Sequence, residues 1–291
     1  SSAASDVYKR QIIDKPKKMT SLDVCNRLKR SLNLDKCGHS GTLDPNTTGV
    51  LVVACNRATK LLKLIHEHDK VYTATILFGY DSNTLDIDGE ITKEIDMNFT
   101  IEEVRQAVYQ LSLKDDQIPP MTSAIRINGK HLYEYQRKGI ELELAPRKTK
   151  ILDYEILSGL RKIDNHLEID IRLHVEKGFY VRSFARDLGQ VLGGCAILKE
   201  LRRTKVGEFS IDDAIPLDKA SLNHILPIEQ IFHFPKVEVN DYIAHLIKNG
   251  VMLDERQTKL NEPFYVINNC DIIAIYEVVE PLKYKPILLL K

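Results

Sequence analysis

The amino-acid sequence predicts an α+β protein, and three observations support this prediction. Residues 50–55 form a short apolar run rich in β-branched side chains, which is typical of a buried strand. Residues 70–79 and 167–175 alternate apolar and polar side chains, as half-buried strands do. Residues 104–111 repeat apolar side chains at helical spacing. The 291-residue chain is long enough for one large domain and one small one.

The composition is that of an ordinary globular protein, with 43% hydrophobic and 28% charged residues. No apolar segment approaches the roughly 20 residues that cross a bilayer, so we expect no membrane partner. The five cysteines are scattered and contain no C-x-x-C pair, which favours a reducing cytoplasm over disulfides or a zinc site. There is no dinucleotide fingerprint, P-loop or metal-ligand spacing, so we expect neither a cofactor nor a metal.

The N-terminal segment is predicted to begin with a tail. Residues 1–11 are small and polar, and we expect an extraneous or disordered stretch there. Lys15 opens a basic loop, and Thr20 and Asp23 have the spacing of a capping box that begins a helix. Basic residues outnumber acidic ones over residues 15–63. This basic face is either a solvated surface or a phosphate-binding one.

Residues 38–49 form a glycine-rich loop that contains one carboxylate, Asp44, and leads directly into the strand at 50–55. Glycines allow positive φ angles and close approach of a ligand. Pro45 restricts Asp44 to an extended or turn conformation. A functional carboxylate on a stiff loop is one interpretation, and a plain turn is the other, because Asp-Pro often opens turns.

The remaining elements follow from periodicity and capping signals. Thr100 and Glu103 form a second capping box at the start of the helix that contains 104–111. Helical spacing also appears at residues 58–65, and an Asn-Gly turn at 128–129 closes a short strand. Residues 227–235 are predicted to link to a small C-terminal unit with a helix at 241–249 and strands at 264–267 and 272–279.

The glycine-rich loop resembles the motif Gly-His-x-Gly-Thr-Leu-Asp-Pro-x-x-Thr-Gly-Val-Leu of the TruB family of tRNA pseudouridine synthases. A Lys-x-Tyr strand at 70–72, a Gly-x-Tyr-Val-Arg-x-x-x-x-Asp-Leu-Gly segment at 178–189 and residues 196–207 are also similar to family segments, in the family order. The resemblance implies a pseudouridine synthase fold over residues 12–230, with a mixed, mostly antiparallel sheet and flanking helices. It also implies a small PUA-like β-rich domain over residues 231–291.

The resemblance implies roles for individual residues. Asp44 would be the catalytic carboxylate, and Arg182 would pair with it and keep it ionised, since a neighbouring guanidinium favours the charged form. Tyr72 would stack on the target base and is the favoured acceptor of the C5 proton. His39 would fill the gap left in the tRNA loop. The candidate substrate-binding residues are Tyr72, Tyr180, Arg182, Leu201, His39 and Lys15.

Two positions depart from the family pattern. Thr122 stands where tyrosine is usual, and Arg126 stands where lysine is usual. The arginine keeps the charge, but threonine loses an aromatic contact, so we assign no binding role to Thr122.

The function implied by the resemblance is isomerisation of the T-loop uridine of tRNA, uridine-55, to pseudouridine by base flipping. We expect tRNA, through its T stem-loop, to be the partner of a cytoplasmic monomer. Asp44 could attack C1′, add to C6 or remove a sugar proton. The alternatives are a tRNA-binding or folding protein with incidental or lost catalysis, a guide-RNA-dependent relative, and a glycosidase, for which Asp86 would be the nearby second carboxylate.

Overall fold

The computed structural model describes residues 9–123, 125–127, 129–136, 140, 142–224, 226–227 and 232–290. The α-helices are α1 (Ser21–Ser31), α2 (Leu62–His66), α3 (Ile101–Ser112), α4 (Leu132–Gln136), α5 (Val181–Val191) and α6 (Asp241–Lys248). Within the described residues, no helix has both the length and the apolar character to cross a membrane.

The strands follow one another along the chain in two groups. The first group is β1 (Lys9–Lys15), β2 (Cys37–Ser40), β3 (Thr48–Cys55), β4 (Lys70–Phe78), β5 (Tyr80–Ser82), β6 (Ile91–Glu94), β7 (Asp116–Gln117), β8 (Arg126–Ile127), β9 (Lys130–His131), β10 (Arg147–Lys148), β11 (Ile151–Ile156), β12 (Arg161–Ile163), β13 (His166–Val175), β14 (Ala196–Val206), β15 (Phe209–Ser210), β16 (Ile215–Pro216) and β17 (Leu226–Pro227). The second group is β18 (Lys236–Glu238), β19 (Leu253–Asp254), β20 (Phe264–Asn268), β21 (Asp271–Glu280) and β22 (Lys283–Leu289).

The main sheet has eleven strands, with the central order β11-β13-β4-β14-β3-β1-β16. Strand β12 pairs with β13, β15 with β14, β17 with β1, and β2 with β3. The β14–β3 and β1–β16 pairs are parallel, whereas β4 runs antiparallel to both of its neighbours. The α+β class with a mixed, mostly antiparallel sheet is therefore confirmed.

One face of this sheet is covered by α1, α3 and α5. Their apolar sides share one continuous core with alternate residues of β4 and β13. Both predicted capping boxes are confirmed. The hydroxyls of Thr20 and Thr100 each accept a hydrogen bond from the backbone N–H three residues later, and the carboxylate of that later residue accepts from the threonine N–H. Burial of these apolar faces, at about 25 cal/mol per Å², is the main force that holds the helices on the sheet.

The C-terminal unit is a five-stranded sheet in the order β18-β20-β21-β22-β19 together with α6, and it packs on the opposite face of the main sheet at β1 and β3. Tyr265 and Ile275 of this unit share a core with Val52 of β3. Lys63 and Glu277 form an ion pair of 2.6 Å across the contact. The predicted helix and both predicted strands of this unit are confirmed, and β22 was not predicted.

Two predictions about element boundaries are wrong. The predicted tail extended to residue 11, but strand β1 already begins at Lys9. Gln11 is buried, and its side chain donates to the Ser221 carbonyl at 2.6 Å. Residues 1–8 lie outside the described residues. The helix predicted over 58–65 is a 3₁₀ helix at Asn56–Leu61 followed by α2. Both helix types bury residues three apart, so the apolar spacing did not distinguish them.

Candidate active site

An open cleft of about 430 Å³ lies above the centre of the main sheet, at the end of the glycine-rich loop. Five parts of the chain meet there: this loop, the start of β4, the segment after α3, the start of α5, and β14. The lining residues include Asp44, Tyr72, Tyr180, Arg182 and Leu201, which lie in four separate stretches of the sequence.

The glycine-rich loop is held against a buried arginine, Arg203 of β14. Its Nε donates to the Val50 carbonyl at 2.8 Å, and its Nη2 donates to the Gly41 carbonyl at 2.9 Å. Gly49 has φ +105°, and a Cβ there would lie 2.1 Å from the Arg203 carbonyl oxygen. Only glycine fits this conformation and this approach. The loop is therefore fixed at both ends by the same residue.

The start of α1 fixes the middle of the loop. Ser21 accepts from the Leu43 N–H at 2.9 Å, and its hydroxyl lies 3.3 Å from the Leu43 carbonyl. Thr47 N–H donates to the Asp44 carbonyl at 3.0 Å, which closes a turn around Pro45. The turn interpretation is thus also correct: Asp44 lies in a turn, and that turn presents its carboxylate to the cleft.

Lys15 supports the same turn from below. It is fully buried, and its Nζ donates to the carbonyls of Pro16, Met19 and Pro45. Burial lowers the pKa of Lys15 to about 8, an effect that the nearby Asp44 charge opposes. The three donors of its ammonium group are used by protein carbonyls, so Lys15 positions the Asp44 loop. That Lys15 also binds substrate stays a prediction.

Asp44 forms an ion pair with Arg182, whose Nε lies 3.2 Å from the aspartate Oδ2. The Asp44 side chain is 45% exposed to the cleft, whereas that of Arg182 is 8% exposed. A half-exposed carboxylate thus rests on a buried guanidinium. This geometry leaves one side of the carboxylate free to meet a reacting atom.

The guanidinium of Arg182 is fixed by further partners. Nη1 donates to the Thr84 carbonyl at 3.0 Å and to the Thr122 hydroxyl, and Nη2 donates to the Thr122 carbonyl at 3.1 Å. Asp86 lies 3.8 Å from Nη1. Burial raises the pKa of Asp86, and the Thr84 hydroxyl and the Arg182 charge oppose this.

Sequence reasoning missed both Thr122 and Asp86. Thr122 received no role because it stands where the family usually has a tyrosine. Its hydroxyl and its carbonyl nevertheless both accept from Arg182. Asp86 was considered only as a second acid for a glycosidase. No sequence signal pointed to either contact, since Thr122 lies 60 residues before Arg182 in the chain.

The walls of the cleft are apolar and aromatic. Tyr72 on β4 is 9% exposed, and Leu201 on β14 is partly buried. Tyr180 is the residue before α5, and its backbone N–H and carbonyl exchange hydrogen bonds of 2.9 and 3.0 Å with the Gln117 side chain. A planar ring entering the cleft would meet these three side chains above the Asp44–Arg182 pair.

His39 lies outside the lining of this cleft, on β2 next to the glycine-rich loop. Its Nδ1 is buried without a hydrogen-bond partner among the described residues. Burial lowers the pKa of His39, and the positive charge of Arg203 lowers it further.

Among the described residues, no cluster of His, Cys, Asp and Glu has the grouping that a metal ion requires.

Comparison with known proteins gives two family matches. Residues 29–181 match the model of the N-terminal domain of the TruB family pseudouridylate synthases. Residues 182–232 match the model of the tRNA pseudouridylate synthase B C-terminal domain.

Curated relatives are similar along almost the whole chain. The tRNA pseudouridine synthase B of Lactobacillus acidophilus is 38% identical, over 96% of this chain and 97% of the relative. That of Acholeplasma laidlawii is 36% identical, over 94% and 96%. A solved Cbf5–Nop10–Gar1 complex contains a similar chain, with a TM-score of 0.70, 24% identity, and coverage of 96% of this chain and 80% of that one. At that identity the solved structure supports the fold alone.

Proposed function

The chain belongs to the TruB family of pseudouridylate synthases, and from this we propose that it isomerises uridine-55 in the T stem-loop of tRNA to pseudouridine. The observation that carries the proposal is the 3.2 Å pair between Asp44 and Arg182 at the floor of a cleft large enough for one nucleotide. We also propose that the protein acts as a cytoplasmic monomer. No disulfide joins the cysteines in the described part of the chain.

The reaction requires no oxidant, reductant or external energy. The N1–C1′ bond breaks, the base turns, and a C5–C1′ bond forms, while C5 loses a proton and N1 gains one. The target base must first leave the RNA stack, at a cost of a few kcal/mol that the pocket offsets by stacking and hydrogen bonds. Tyr72, Tyr180 and Leu201 are the walls against which the extruded uracil would pack.

Asp44 is the proposed catalytic carboxylate. A carboxylate beneath a nucleobase loses its water, which favours protonation unless a positive charge lies beside it. Arg182 provides that charge, and its other hydrogen bonds fix the direction in which the Asp44 oxygens point. Tyr72 is the proposed acceptor of the C5 proton, because it shares the cleft with Asp44.

The test uses a tRNA transcript that carries tritium at uridine C5. We expect the wild-type protein to release tritium and Asp44→Asn to release none while it still binds the transcript. Asp44→Asn keeps the size of the side chain and removes its charge. A second transcript, in which cytidine replaces uridine-55, should release no tritium. This result would identify uridine-55 as the modified site.

Two outcomes would contradict the proposal. Tight binding of the transcript without any tritium release would favour a tRNA-binding or folding protein with lost catalysis. Release from a uridine elsewhere in the transcript would retain the isomerase and refute the T-loop assignment.

A further inference from the structure

One histidine in the cleft has no role in the chemistry above. His66 is the last residue of α2 and lines the same cleft as Asp44 and Tyr72. The Lys70 Nζ donates to the His66 carbonyl at 2.8 Å. This bond ties the end of α2 to the start of β4, two residues before Tyr72. The backbone of His66 is therefore held in place at the cleft.

The imidazole of His66 has no hydrogen-bond partner among the residues that the structure describes, and its side chain is exposed. The two histidines of β13 differ in this respect. His166 pairs with Glu94 at 2.9 Å, and His174 pairs with Asp69. His66 thus presents an unused donor at the edge of the cleft.

The charges around His66 are mostly positive. Lys70, Lys177 and Arg203 act on it, and Glu67 acts in the opposite direction. Glu67 is itself paired with Lys177. Of the other charges that act on His66, Lys70 and Arg203 are positive, and a cationic edge attracts an anionic ligand group.

The two buried cations cannot bind such a group directly. Lys70 is 6% exposed, and its Nζ donates to the carbonyls of His66 and His68. Arg203 is 1% exposed and donates to two loop carbonyls. They supply positive potential, whereas the exposed imidazole supplies a hydrogen bond. The imidazole keeps an exposed edge but is partly desolvated where it meets the protein. This partial burial lowers the pKa of His66, and the Lys70 charge acts in the same direction, so the imidazole donates one N–H in its neutral form.

We propose that His66 contacts the substrate, and that its imidazole donates a hydrogen bond to a phosphodiester of the RNA next to the extruded uridine. This inference rests on the proposed function, because it requires RNA in the cleft. The contact exists before and during the reaction. It should therefore affect the RNA concentration at half-maximal rate and leave the single-turnover rate at saturation unchanged.

The first experiment measures single-turnover tritium release at varied protein concentration for wild type, His66→Leu and His66→Gln. We expect His66→Leu to raise the half-saturating concentration about tenfold, the value of one hydrogen bond to a charged group. His66→Gln keeps an N–H donor and should recover part of the affinity. His245→Leu, at an exposed position of α6 in the C-terminal unit, is the matched control and should behave as wild type.

The second experiment identifies the phosphodiester. Stem-loop substrates carry one uncharged methylphosphonate at a time, at the positions on either side of the target uridine. At the contacted position, the methylphosphonate should weaken binding to wild type and have little further effect on His66→Leu. At every other position the two substitutions should act independently.

Failure of the inference and failure of the proposed function give different results. If the wild type releases no tritium, the proposed function is wrong. If the wild type is active and His66→Leu has an unchanged half-saturating concentration, the inference alone is wrong. Independent effects of His66→Leu and the methylphosphonate at every position would also overturn it.

Discussion

Replacing Arg182 by lysine tests the central feature of the site, a guanidinium that fixes a carboxylate. Arg182 uses Nε for Asp44, Nη1 for Thr84 and Thr122, and Nη2 for the Thr122 carbonyl. A lysine ammonium keeps the positive charge but has a single nitrogen on a flexible stem. It can stay near Asp44 or reach the Thr122 side, but it cannot hold both.

The expected loss can be estimated from these contacts. Two of the hydrogen bonds that orient the cation are lost, each worth about 1.5 kcal/mol for a charged group. If the lost orientation appears in the transition state, the barrier rises by about 3 kcal/mol and the rate falls by about a hundredfold. The affinity for tRNA should change by less than about threefold, because most protein–RNA contacts are made to the backbone elsewhere.

The assay is single-turnover tritium release at saturating protein, with filter binding on the same preparation and thermal unfolding to check the fold. Arg186→Lys is the matched control. Arg186 lies one helical turn further along α5 and pairs with Asp187 instead of Asp44. We expect Arg186→Lys to retain near-normal turnover. A normal rate for Arg182→Lys, or a loss of binding equal to the loss of rate, would refute the pairing argument.

Three further predictions test the supports of the site. Thr122→Val removes the hydroxyl that accepts from Arg182 and should slow single-turnover tritium release about tenfold, whereas Thr122→Ser should not. Gly49→Ala should lower the unfolding free energy measured in urea by at least about 2 kcal/mol; Gly129→Ala, which also has positive φ but no atom within 4 Å of its Cβ, should cost less. The Lys15 pKa of about 8 lies below the ordinary lysine value of 10.5, so the unfolded chain holds this proton more tightly and stability rises with pH between these values. Relative to Lys15→Met, wild type should gain up to about 3 kcal/mol in urea unfolding between pH 7.5 and 10.5, and a constant difference would contradict the burial argument.

The parts of the fold that could be predicted from the sequence are those that obey local rules. Thr20 and Thr100 cap their helices with side chains three residues apart, so the sequence alone contains both partners. The alternation in β4 and β13 directly reflects which side chains face the core. The helix predicted over 58–65 was only partly right, because residues three apart are buried in a 3₁₀ helix as well as in an α-helix, and the chain forms a 3₁₀ helix at Asn56–Leu61 before α2.

The candidate site was predictable where a motif contained its residues, and unpredictable where a distant residue completes it. Asp44 and Arg182 belong to separate motifs, and resemblance to one family predicted their pairing. Thr122 could not be found in this way, because it departs from the family pattern. Only its position in the fold identifies its role, because there the Thr122 hydroxyl and carbonyl both reach the guanidinium of Arg182.

The burial of several cations explains why a count of basic residues in the sequence cannot locate an RNA-binding surface. Four cations around the cleft, Lys15, Lys70, Arg182 and Arg203, are between 0 and 7% exposed. Lys15, Lys70 and Arg203 donate to backbone carbonyls, and Arg182 holds Asp44. Buried cations of this kind strengthen the local potential and shape the loop, but they displace few counterions when RNA binds. Exposed side chains such as Arg27 and Arg30 on α1 are therefore the ones whose removal should change the salt dependence of binding.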